Sequence, residues 1–138
     1  MSTGELDYSF TRLVPASALR SLLGQTSWAN GRTEDEVLQV IANSPVQLGV
    51  WDDDRLVGYA RALTDGRFRA LVDDVVVDEV QRGSGIGKEI MRRLLERLAE
   101  VDQVVLLASD ASAAFYVKLG FEPSRANCLV RRRTPPSP

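Results

Sequence analysis

The sequence predicts one α/β domain built on a mixed central β-sheet, antiparallel in its N-terminal part and flanked by α-helices. Three observations predict it. Residues 46–77 hold strand-like runs spaced as hairpins, residues 85–100 switch to a helical period, and residues 104–119 repeat the order of strand then helix. A length of 138 residues suits a single core, and 44% apolar with 26% charged residues is the balance of an ordinary soluble globular fold.

The elements follow in order. Residues 8–13 alternate enough for a first strand. Val14-Pro15 opens a short helix with Leu19, Leu22 and Leu23 on one side, stopped at Gly24. Thr33 and Glu36 have the spacing of a capping box, and Val37, Val40 and Ile41 give the next helix its apolar face before Asn43-Ser44-Pro45 ends it. Residues 46–51 and 55–64 flank the acidic turn Asp52–Asp54, a hairpin by length and turn chemistry. Asp65-Gly66 turns the chain into 68–77, where Val75-Val76-Val77 reads as a strand buried on both faces. Ile86, Ile90, Met91, Leu94, Leu95 and Leu98 then recur at three- and four-residue steps, an amphipathic helix. A buried strand over 104–108, a helix over 111–119 capped by Gly120, and an extended return over 121–133 complete a domain spanning 1–133. The Pro-rich tail 134–138 is expected to fray.

Composition excludes several function classes. The chain has no histidine, which removes Ser-His-Asp and Cys-His nucleophile systems and any imidazole-bound metal. Its single cysteine, Cys128, cannot close an internal disulfide or build a zinc cage, so a cytoplasmic, reducing home is expected. Residues 1–10 lack the basic and apolar regions of a signal peptide, and no apolar run approaches a membrane span. A net charge of −2 argues against a general nucleic-acid binder, and Arg131–Arg133 read as a solvated end. Proton chemistry in such a chain falls to Asp, Glu, Tyr, Lys, Arg, backbone or water.

The most informative segment runs Val75-Val76-Val77-Asp78-Glu79-Val80-Gln81-Arg82-Gly83-Ser84-Gly85-Ile86-Gly87-Lys88. A strand feeds three alternating glycines, and a long helix begins there. Without side chains in the turn, successive N–H groups can converge on an anion at the positive end of the helix, with Arg82 and Lys88 adding charge. A phosphate or pyrophosphate is the natural occupant. A Walker A loop fails because Glu89 follows Lys88 and Arg82 holds the upstream glycine position. The dinucleotide fingerprint fails because its third glycine would fall on Lys88 or Ile90. Arg82, Gly85 and Gly87 do satisfy R-x-x-G-x-G.

With that turn and a second motif, Phe115-Tyr116-Val117-Lys118-Leu119-Gly120-Phe121, the chain resembles the GCN5-related N-acetyltransferase (GNAT) superfamily over roughly residues 46–122, in its short bacterial and plant-type branch. The resemblance implies the GNAT fold, with a parallel, splayed strand pair at the cofactor site, and an enzyme that moves an acetyl group from acetyl-coenzyme A to a primary amine by direct attack. It implies that Arg82, Gly83, Ser84, Gly85, Ile86, Gly87 and Lys88 hold the pyrophosphate. Val75, Val76 and Val77 pair with the pantetheine arm, and the Val77 N–H polarises the thioester carbonyl. Tyr116 matches the family's general acid, placed to protonate the leaving thiolate, and its neighbour Phe115 packs beside the cofactor. Seven residues before Tyr116 the family often has Asn; here Ser109 stands in that position, able to do a weaker version of the same job.

For the general base, Asp73 and Asp74 lie just before Val75 and are read on opposite faces of one strand. A carboxylate on a core strand is costly unless used or paired, so one of them serves as base or pairs with Arg61 or Arg69. An acidic residue at this place also occurs in several GNAT branches. Trp28, Trp51, Tyr59 and Arg61 are candidates to line the acceptor site. A homodimer is expected by family habit, with strand 121–133 able to pair between subunits. Two other readings stay open: a coenzyme-A-binding sensor or partner module without turnover, and acetylation of a protein amine.

Overall fold

A computed structural model describes residues 5–134. The chain divides into two compact units, one ending at Leu107 and the other starting at Ala108. The first unit runs β1 (Asp7–Ser9), α1 (Ala16–Leu23), α2 (Glu34–Asn43), β2 (Val46–Asp52), β3 (Arg55–Thr64), β4 (Arg69–Val77), a 3-10 turn (Glu79–Gln81), α3 (Ile86–Arg97) and β5 (Gln103–Val105). These strands form one sheet in the order β1-β2-β3-β4-β5, antiparallel up to β4 and parallel between β4 and β5.

Local chemistry explains the boundaries. Thr33 accepts from the Glu36 N–H while Glu36 accepts from the Thr33 N–H, so the capping box read in the sequence starts α2. Gly24 ends α1, and Asp53, with φ of 54°, turns β2 into β3. The two faces of the sheet are covered by different helices. Tyr59 sits in an apolar cluster with Leu19, Leu22 and Leu23 of α1 and Val37 of α2. Its neighbour Gly58 turns to the other face, where an added Cβ would meet Ile90 of α3 at 3.0 Å. Burial on both faces falls on β3, where Leu56 through Ala60 are all buried, and not on Val75–Val77. In β4 burial alternates and only Val76 of the three valines is buried, because β4 is paired with β5 over only three residues.

Other expectations shift. The first strand is Asp7–Ser9 rather than 8–13, since the Ser9 hydroxyl accepts from the Thr11 and Arg12 N–H groups and turns the chain away. β5 is short and mostly exposed, not a buried run over 104–108: Val105 and Leu107 keep 41% and 73% exposure.

The second unit holds α4 (Asp110–Val117), closed by a glycine stop: the Phe121 N–H donates to the Tyr116 carbonyl and the Gly120 N–H to the Val117 carbonyl, with Gly120 at φ of 99°. Residues 121–134 form no strand, so the extended return expected there is irregular chain with Leu129 and Cys128 exposed. Of the tail read as frayed, Thr134 lies outside any helix or strand, and 135–138 lie outside the described residues. Among the described residues, no helix is long and apolar enough to cross a membrane.

Candidate acyl-transfer site

The first half of the site is an open strand edge. β4 pairs with β5 only through Arg69, Ala70 and Leu71, against Gln103, Val104 and Val105. Beyond Leu71 the parallel pairing stops, and among the described residues no strand pairs with the main chain toward Val77 on that side. The Asp78 N–H donates to the Val57 carbonyl at 2.8 Å, so Asp78 faces β3. Successive residues of a strand direct their N–H and C=O groups to opposite edges, so Val77 and Val75 face the open one. The Val77 carbonyl receives the Arg82 Nε at 3.2 Å, while its N–H is left toward the edge.

The second half is the glycine turn. Asp78, 4% exposed, fixes where it begins: its carboxylate accepts from the Val80 N–H at 3.1 Å and from Arg55 at 2.8 Å. Gly83 and Gly85 adopt left-handed φ of 85° and 88°, and Gly85 is the N-cap of α3. The first helical bond runs from the Glu89 N–H to the Gly85 carbonyl, and no side chain caps the helix. The N–H groups of Ile86, Gly87 and Lys88 therefore point out of the helix end with its positive dipole. Arg82, Ser84 and Lys88 are exposed around them, and nothing lies within 4 Å of a Cβ placed on Gly83 or Gly85. Ser84 turns its hydroxyl back onto the Gln81 carbonyl. The geometry suits a phosphate or pyrophosphate cradled in the turn, with an amide-bearing arm laid along the edge. Coenzyme A has both parts in that order, and the residues present fit it.

Behind the edge lies a charged cluster. The register pairs Tyr59 with Val76 and Arg61 with Asp73, so Asp74 and Val75 together oppose Ala60: β4 carries a bulge. Asp74 occupies it at φ of 53°. The bulge undoes strict alternation, so Asp73 and Asp74 are not split between faces: both reach Arg61, at 3.2 and 2.7 Å. Arg32, from the loop joining α1 and α2, adds a bidentate pair on Asp74 at 2.7 and 3.0 Å. Burial alone would raise the Asp74 carboxyl, but the bonds from Arg32 and Arg61 outweigh it and hold it below the usual carboxylate range. Arg32 is raised in turn, chiefly by its bond to Asp74. Sequence reasoning anticipated the Arg61 pair and missed Arg32. The available signal was the cost of a carboxylate on a core strand, which calls for full charge compensation.

The candidate acceptor residues separate. Trp28 stands 53% exposed in the same α1–α2 loop as Arg32. Tyr59, read as a lining residue, is fully buried, with its hydroxyl donated to Gln47 at 2.7 Å, because its register on β3 turns it into the α1 cluster. Trp51 is also core, with Arg12 stacked over its ring at 4.4 Å. An open groove of about 420 Å³, lined by Phe10, Arg92, Arg93, Glu96 and Arg97, lies toward the other end of α3 from the glycine turn.

In the second unit, Ser109 is the N-cap residue of α4, its hydroxyl 3.0 Å from that of Ser112. Tyr116 packs edge-on between Phe115 and Phe121, with ring centroids at 5.0 and 5.9 Å. Burial pushes the Tyr116 phenol above its ordinary value.

The family model described as the acetyltransferase (GNAT) family matches residues 16–121, which include both halves of the cradle and α4. The chain belongs to the GNAT family. An uncharacterized ycf52-like N-acetyltransferase of Prochlorococcus marinus is 33% identical over 129 residues, covering 88% of this chain and 71% of the relative. Serotonin N-acetyltransferase 2, chloroplastic, of Oryza sativa subsp. japonica is 36% identical over 99 residues, covering 65% of this chain and 48% of the rice protein. The chain thus spans less than half of that enzyme, and only 40% of the ycf52 N-acetyltransferase of Porphyra purpurea. Among solved structures, a GNAT-family protein of Xanthomonas campestris pv. campestris superimposes with a TM-score of 0.82 at 27% identity, covering 95% of this chain and 94% of the other. The mixed sheet with flanking helices is the GNAT fold, and GNAT membership makes the chain an acetyltransferase.

Proposed function

We propose that this GNAT protein transfers an acetyl group from acetyl-coenzyme A to the primary amine of a small molecule. The observation that carries the reading is the open β4 edge running directly into the left-handed glycine turn. Acetyl-coenzyme A supplies an acetyl group activated as a thioester. The main chain of Arg82, Gly83, Ser84, Gly85, Ile86, Gly87 and Lys88 holds the pyrophosphate, and the Arg82 and Lys88 side chains add positive charge. Val75, Val76 and Val77 form the strand beside the pantetheine arm, and the Val77 N–H donates to the acyl oxygen as negative charge develops there. Tyr116, a phenol already protonated at neutral pH and pushed further up by its burial, gives its Oη proton to the departing sulfur. Ser109 and Phe115 complete the cofactor contacts.

The incoming amine must lose a proton. Of the two carboxylates at the bulge, Asp73 accepts one bond on each oxygen, from the Asp74 N–H and from Arg61, and keeps nearly half of its side chain exposed. Asp74 carries three guanidinium bonds and exposes none of its side chain. Asp73 is therefore the better proton acceptor. Trp28 and the exposed part of Arg61 face the acceptor. The rice relative is named for serotonin, a primary arylalkylamine, which supports a small amine. A Glycine max relative 40% identical over 70 residues is named a histone acetyltransferase, so the protein-amine reading stays as the alternative to test. The enzyme is read as a cytoplasmic homodimer, in line with its single cysteine and the 90% exposed Leu129 of the second unit.

The test pairs Tyr116→Phe with wild type in thiol release from acetyl-coenzyme A, alongside calorimetric coenzyme A binding. The reading expects turnover reduced about 100-fold with binding retained. Unchanged turnover removes Tyr116 as the acid, and tight binding without turnover on any amine favours the sensor reading.

A further inference from the structure

The reaction as proposed leaves the most deeply buried charge among the described residues of the first unit without a task. Asp74 is 2% exposed, sits at a left-handed φ of 53°, and carries three guanidinium hydrogen bonds, from Arg32 Nη1 and Nη2 and Arg61 Nε. Its own N–H donates to Asp73 Oδ1 at 2.9 Å. A left-handed backbone is disfavoured for a residue with a Cβ and persists where its surroundings over-determine it.

The bulge has a direct geometric consequence. Side chains and N–H groups alternate along a strand, so one extra residue reverses the facing of everything after it. With the bulge, the Asp78 N–H meets the Val57 carbonyl and Val77 faces the open edge. Without it, Val77 would turn its N–H toward β3, and the edge would present the wrong groups.

We propose that Asp74 is a positioning residue: clamped by Arg32 and Arg61, it holds the β4 bulge that aims Val75 and Val77 at the open edge, and it fastens the α1–α2 loop to that strand. The proposal rests on the acetyl-transfer reading, because the direction of those N–H groups matters only with an acyl donor along the edge. Arg32 reaches Asp74 from 42 residues earlier, in the loop that carries Trp28. Acceptor-side loop and donor-side strand thus share one ionic clamp, and loosening it from the Arg32 end disturbs donor binding without touching the donor.

The experiment measures coenzyme A affinity and steady-state acetyl transfer for Asp74→Asn, Asp74→Gly, Asp74→Ala, Arg32→Lys and Arg32→Gln, each with circular dichroism. Arg32 keeps 29% of its side chain exposed, so its variants report even where an Asp74 variant does not fold. Asn tolerates the left-handed backbone and keeps hydrogen-bonding atoms, so it should stay nearest wild type. Ala should bind coenzyme A about tenfold more weakly than Asn. Arg32→Gln should raise KM for acetyl-coenzyme A several-fold more than it lowers kcat, and Arg32→Lys should recover part of that loss. Equal kcat losses in Asn, Gly and Ala with unchanged coenzyme A affinity would overturn the proposal and make Asp74 the base. Wild-type affinity in Arg32→Gln would also overturn it. Failure of the wild type to bind coenzyme A would instead remove the transfer reading, and this proposal with it.

Discussion

Gly85→Ala isolates the glycine turn. Gly85 sits at φ of 88° and ψ of 5°, and an added Cβ would meet no atom within 4 Å. Steric clash therefore contributes nothing, and the whole cost is the left-handed backbone, about 1–2 kcal/mol for a residue with a Cβ. The turn relieves that cost by rotating toward negative φ, which spreads the N–H groups of Ile86, Gly87 and Lys88. Coenzyme A affinity should fall about five- to thirtyfold, the equivalent of the same 1–2 kcal/mol. Gly66 supplies the control. It has φ of 79° and equally open space, but it lies in the turn between β3 and β4. Gly66→Ala should lose a similar amount of stability, about 3–5 °C in Tm per kcal/mol for a chain of this size, with coenzyme A affinity unchanged. Calorimetric titration with coenzyme A beside thermal melts gives both readings. Wild-type affinity in Gly85→Ala, or equal affinity loss in both variants, would refute the anion-cradle reasoning.

Two further outcomes follow from the same structure. Gly49→Ala drives a Cβ into the Trp51 ring, a buried side chain with little room to yield, and should cost about 1–3 kcal/mol in urea denaturation. Asp74 has its carboxyl lowered in the folded state, so its contribution to stability is complete above its unfolded value of about 3.9 and is lost as pH falls below it. Arg32→Gln removes one lowering partner, so acid unfolding followed by circular dichroism should move to higher pH; an unchanged midpoint would speak against the clamp.

Much of this was readable in the sequence because its signals were local. The Thr33–Glu36 box, the three- and four-residue apolar steps of α3 and the glycines of the turn each depend on neighbours within one turn of chain, and each lies where the pattern placed it. The bulge was not readable. It is a relation between strands, and period-two reasoning on β4 alone put Asp73 and Asp74 on opposite faces. Arg32 was missed for the same reason, since nothing around Asn30-Gly31-Arg32 signals a partner 42 residues away. Tyr59 reads as a binding-site aromatic by type, and only its register on β3 places it in the core. The 121–133 segment has extended-looking composition, but a strand also needs a partner edge, which sequence does not supply.

The central claim is acetyl transfer to a small amine, and its most direct test is product formation. Wild-type protein would be incubated with acetyl-coenzyme A and a panel of arylalkylamines, polyamines, amino sugars and peptides, with acetylated amine and free thiol both measured. The account predicts stoichiometric release of thiol and N-acetylated product for at least one small-amine class, with peptides inert. Acetylation confined to peptides, or coenzyme A bound with no acetylated product from any acceptor, would contradict it.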